Sequence, residues 1–130
     1  MADYLPIFLP GSVVALTASA TITGGQLLAV SGTGTVAPAA AGSANWVGVA
    51  AGDAASGGRV SVYPRGVIHE TTADGAITAG DQLQTGATGK VKALAAAAGA
   101  TTADITAARS VVGIALTTAT DTNSVRWMAR

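Results

Sequence analysis

The sequence predicts an all-β fold, a compact β-barrel or sandwich built from two similar half-units behind an apolar N-terminal arm. Three observations point there. Short apolar runs rich in Val, Ile and Thr recur at spacings of about 8 to 12 residues with turn signals between them, the rhythm of sandwiches and barrels. The strong helix formers Glu, Lys and Gln are scarce, while Gly occurs 17 times in 130 residues. Finally, blocks of the first half return in the same order in the second.

Residues 1–10 read as an extended arm. Tyr4, Leu5, Ile7, Phe8 and Leu9 are apolar, and Pro6 and Pro10 block helix formation, which makes these five side chains the candidates for contact with a partner. Asp3 stands where a secretory signal would carry a basic residue, and no run reaches the roughly 18 apolar residues of a membrane span, so the chain is expected to be made and folded in a cytoplasm. Residues 11–130 are expected to form a single β domain.

Within it, strands are expected at Val13 to Leu16, Leu27 to Val30, Thr35 to Ala37 and Trp46 to Ala50. Arg59 to Tyr63 alternates polar and apolar residues as a half-buried strand does, behind a Gly57 and Gly58 turn. Further strands are expected at Gln82 to Thr85, Lys90 to Ala93, Val111 to Leu116 and Ser124 to Met128. Leu94 to Arg109 is Ala-rich, but Gly99, Thr101 and Thr102 weaken a helix there; it reads as a mobile loop with one helical turn.

The repeat is the most informative feature. Ile22 to Leu27 is echoed by Ile77 to Leu83, read with one residue inserted in the second copy. Thr33, Gly34, Thr35, Val36 matches Thr88, Gly89, Lys90, Val91, and Val47, Gly48, Val49, Ala50 matches Val112, Gly113, Ile114, Ala115. Val60 to Tyr63 then matches Val125 to Met128, so the copies run from about 22 to 63 and from about 77 to 128. Two copies are too few for a solenoid, and two half-units closing one core with approximate two-fold symmetry would also hide strand edges. Chance similarity among Gly, Ala, Thr and Val in a composition this biased is the alternative to a true repeat.

Composition excludes several functions. Seven basic and seven acidic residues balance, which leaves no basic cluster to displace counterions from nucleic acid or to hold an anionic membrane. Without Cys there is no disulfide framework, thiolate metal site or thiol catalysis, and the sequence calls for no cofactor. His69 beside Glu70 and near Asp74 suggests a base with an orienting carboxylate. Neighbours on a strand point to opposite faces, however, and no nucleophile or oxyanion donor accompanies them, so His69 reads as a surface or loop residue. A lone His is also a poor zinc site. The segment from Thr85 to Lys90 looks like a phosphate loop, but only two residues separate Gly86 and Gly89 and Val91 follows the Lys, so it reads as a hairpin. The aromatic set of Trp46, Trp127, Tyr4, Tyr63 and Phe8 is thin for sugar or base stacking and better suited to core or subunit-interface packing.

The string from Val47 to Ala50 through the Gly57, Gly58, Val60, Val62 hairpin to Gly66 and Val67, then Ala73 to Leu83 and Thr88 to Val91, resembles the small tailed-bacteriophage capsid cement or decoration proteins. The resemblance covers the chain from about Gly11 onward. It implies an all-β, tulip-like virion protein on the outer surface of an icosahedral head, commonly a homotrimer, with the major capsid protein as partner and no catalytic residues. Such a protein stabilises the shell against internal DNA pressure. A receptor- or glycan-binding head fibre module is the competing reading, and an enzyme the weakest.

Overall fold

The computed structural model of the chain describes residues 13–94, 101–102, 105 and 109–130. The ten strands there are β1 (Val14–Ala18), β2 (Leu27–Gly32), β3 (Thr35–Pro38), β4 (Trp46–Ala50), β5 (Arg59–Tyr63), β6 (Ile68–Thr72), β7 (Gln82–Thr85), β8 (Val91–Ala93), β9 (Gly113–Ala115) and β10 (Ser124–Ala129), with a 3-10 turn at Ala87–Gly89. The nine expected strands form within two residues of their expected ends; β6 is additional. Most of Leu94 to Arg109 lies outside the described residues, as does the whole of the arm. Inside the former the Ile105 amide donates to the Thr101 carbonyl at 3.2 Å, the bond of a helical turn.

Strands β1 to β5 close into a barrel in the order β1-β3-β2-β4-β5, and the other five form a sheet in the order β6-β10-β9-β7-β8. The two orders are the same arrangement. Antiparallel β1 with β5 corresponds to β6 with β10, β2 with β3 and β4 to β7 with β8 and β9, and β4 with β5 to β9 with β10. The parallel β1–β3 pair that closes the barrel returns as the single parallel bridge Ala73–Val91. The repeat is therefore structural, and it reaches back beyond Ile22 to include β1 and β6.

Register corrects one detail. The Thr23 amide donates to Gln26 Oε1 at 2.8 Å, and the Thr78 amide donates to Asp81 Oδ2 at 2.9 Å, so Gln26 and Asp81 are equivalent and no residue is inserted. Leu28 opposite Gly48 then matches Leu83 opposite Gly113. The bridges Ile22–Ala54 and Ile77–Ala119 fix the same alignment at the other end of each unit.

The halves do not share one core across a two-fold axis. Ala18, Ile22, Leu28, Val36, Ala50, Val60 and Val62 fill the first barrel. The matching interior of the second half, including Ile77, Leu83, Val125 and Trp127, merges instead with residues from the outside of the first, among them Leu27, Val49 and Trp46. The first half thus plugs the end of the second, head to tail. Among the described residues no helix is long and apolar enough to cross a membrane.

Candidate assembly surface

Tyr4, Leu5, Ile7, Phe8 and Leu9, the expected partner contacts, lie outside the described residues. Of the chemical candidates, His69 changes place. It is neither on the surface nor in a loop but on β6, buried, with its ring centroid 5.2 Å from that of Trp127. Glu70 points to the other face, where its Oε2 lies 3.3 Å from Arg126 Nη2 in an exposed pair worth about 0 to 1 kcal/mol. The Asp74 carboxylate is taken up by the Ala87 amide at 2.8 Å. That contact also settles the loop after Thr85: a carboxylate occupies the amide that a phosphate would need, and β7 and β8 pair as a hairpin. Among the described residues no group of His, Asp or Glu could hold a metal ion.

Burial lowers the His69 pKa from its usual 6.5, against a smaller opposing effect of a hydrogen bond with the Pro64 backbone, and His69 Nε2 has no hydrogen-bond partner. A base whose folded pKa is depressed leaves the unfolded chain holding more protons below pH 6.5, so stability is lost as pH falls from there toward the folded value. The unfolding free energy from urea titration should hold above pH 6.5 and fall below it, with a slope of at most about 1.4 kcal/mol per pH unit. In His69→Phe this part of the pH dependence should vanish; an unchanged slope in that variant would assign it to other groups.

What the structure does bring together is an apolar row. On the outer face of the second half, Ile68, Met128 and Ile114 lie side by side on β6, β10 and β9, each about half exposed. Gln82 on β7 continues the row past Ile114. An open groove of about 420 Å³ lies against it, lined by Val111, Met128 and Arg130 among others. The row was not read from the sequence because β6 was not; matching His69 to Val14 at the spacing of the repeat would have revealed both.

The joint between the halves is the other built surface. Thr85 Oγ1 accepts from the Ser43 amide at 2.7 Å and donates to the Ala40 carbonyl at 2.8 Å, while the Gly42 amide donates to the Thr85 carbonyl at 2.9 Å. The Gly89 amide donates to the Ala39 carbonyl at 2.9 Å and Gln26 Nε2 to the Thr88 carbonyl at 3.2 Å. Trp46 of the first half meets Trp127 of the second at 6.0 Å between ring centroids, and the Arg65 guanidinium lies 5.0 Å over the Trp46 ring.

A family model described as phage cement protein matches residues 9–129. The chain belongs to the phage cement protein family. It is accordingly a structural protein of the phage head, located in the virion. This cement protein also shares its fold with the crystal structure of the head fiber gp8.5 N base in bacteriophage phi29, with a TM-score of 0.66 and 21% identity over 92% of this chain and 93% of that one. At that identity the likeness shows the fold alone. No curated protein matches the chain.

Proposed function

We propose that this cement protein binds the outer face of the head as a homotrimer, with the major capsid protein as its partner, and stabilises the shell against internal DNA pressure. The family match over residues 9–129 carries the reading. An exposed apolar row on a chain with only 11% charged residues supports it, since such a surface is suited to being covered. In this reading residues 1–10 are an arm laid on a neighbour or on the capsid, and the single β domain from residue 11 rides on it. Removing residues 2 to 9 should leave the β domain folded and lower the number of copies retained on heads; unchanged occupancy would remove the arm from the mechanism.

Attachment should depend on buried apolar area and main-chain hydrogen bonds more than on ion pairs, because the charges balance and exposed pairs contribute little. Copies retained on heads should therefore be nearly equal after low-salt and molar-salt washes, and decorated heads should release DNA at a higher temperature than bare ones. Steep loss with salt would assign attachment to local charge patches. Retention with no rise in the release temperature would make the protein a decoration, or a fibre module, and not a cement.

A further inference from the structure

The two halves are the same unit, yet equivalent faces of them meet different fates. Val49 and Leu27 on the outside of the first half are covered by the second half, Val49 to 4% exposure. At the matching positions of the second half, Ile114 is 49% exposed and Gln82 is open to solvent. The other side of the joint repeats the asymmetry. Thr85 at the end of β7 and Gly89 in the turn that follows clasp the first half, with Thr85 fully buried. Their counterparts are Val30 on β2, 46% exposed, and Gly34 in the β2–β3 turn, around which an added Cβ would meet nothing within 4 Å. An added Cβ on Gly89 would instead press on Gln26 and Leu27.

One chain thus contains one completed joint and, at its two ends, an exposed turn and an exposed outer face equivalent to two elements that meet in it, the interior of the first barrel, unlike that of the second half, being already filled by its own core. The two turns share a glycine at the same place and φ, Gly34 at +70° and Gly89 at +72°, but differ before it, where the β7–β8 turn is 3-10 with Thr88 at φ 52° and the β2–β3 turn is a short hairpin turn. None of Val30, Gly34, Gln82 and Ile114 is charged, and Arg130 is the charged residue lining the groove beside Ile114. We propose that a second copy of this chain docks head to tail, seating its Val30–Gly34 turn on the Ile114 and Gln82 face as the Thr85–Gly89 turn seats on Val49 and Leu27. Gln82 and Gln84 in place of Leu27 and Ala29 make the free face wetter than the internal one, which keeps it soluble before assembly. Such a contact is heterologous and must close to avoid filaments. Three chains closing six units would satisfy that, a step that rests on the trimeric reading above.

A heterologous joint has a diagnostic test. Ile114→Lys blocks one side and Val30→Lys the other, both at exposed positions, with circular dichroism and the urea midpoint confirming that each variant folds. By sedimentation each alone should be monomeric where the wild type is assembled, its self-association weakened roughly 30-fold or more. Mixed in equal amounts, they should form a 1:1 dimer and nothing larger, because one intact side survives on each partner. A wild type that stays monomeric at submillimolar concentration, single variants that assemble like wild type, or a mixture that stays monomeric would each overturn the proposal. Occupancy on heads, counted separately, reports the cement reading: assembly without head binding would sink head attachment alone, and head binding by a monomer would sink this joint and the trimer but leave the cement role standing.

Discussion

Trp127→Ala is expected to destabilise the protein by about 3–5 kcal/mol, the range for removing a buried large aromatic side chain. Trp127 is fully buried and meets both halves of the fold. Its indole Nε1 donates to Thr71 Oγ1 at 2.9 Å, its ring packs on His69 and Trp46, and it fills the interior of the second half where the first half plugs it. Truncation leaves a cavity, strands the Thr71 hydroxyl and loosens the joint in one step. Against a total of some 5–15 kcal/mol for a domain, that is about a fifth of the stability or more. Trp127→Phe, which keeps a ring but loses the indole donor, should cost less. Tyr63→Ala, at a half-exposed position on β5, should shift the denaturation midpoint little. Equal losses for Trp127→Ala and Tyr63→Ala would mean that the joint does not carry the stability assigned to it.

How much of this was legible in the sequence depends on what each face of a strand meets. β5 was legible because only one of its faces is covered: Val60 and Val62 turn in, Arg59, Ser61 and Tyr63 turn out. β6 was not, because its inward residues are His69 and Thr71 and its outward end is Ile68, which inverts the usual pattern. Burying Thr71 is tolerated since the Trp127 indole satisfies it, a partner 56 residues away that no local pattern reveals. The inserted residue in the repeat arose the same way. Leu27 and Leu28 are both buried, one against the second half and one inside the first barrel, so aligning Leu27 with Leu83 matched an outward leucine to an inward one. Fold class and repeat were thus readable from local chemistry, while the joint, and with it the free apolar face, is a tertiary fact. Of the candidate contact surface, the arm residues Tyr4 to Leu9 remain a reading of composition and proline placement.

Gly113→Ala and Gly48→Ala are the second pair of large effects, each expected to cost about 3 kcal/mol, the upper end for overpacking a core. The two glycines are equivalent, on β9 and β4, each facing inward where the neighbouring strand runs close. A Cβ on Gly113 would collide with the Met128 carbonyl oxygen and come within 2.9 Å of Trp127 Cε3; on Gly48 it would collide with the Tyr63 carbonyl oxygen and come within 2.8 Å of Val62 Cγ1. Backbone oxygens cannot rotate aside as a flexible side chain would, so β9 must part from β10, or β4 from β5, to admit one methyl group. The consequences should differ between the copies. Gly113 adjoins Ile114, so its displacement should also weaken self-association, whereas β4 lends Ala50 to one cluster and Trp46 and Val49 to the other, so Gly48→Ala should disturb both halves. Gly52→Ala is the control: a Cβ there would meet nothing within 4 Å, and its unfolding free energy should stay within about 0.5 kcal/mol of wild type. Denaturation of the three variants side by side decides the matter, since a Gly113→Ala protein no less stable than Gly52→Ala would show that the strands have room the register denies them.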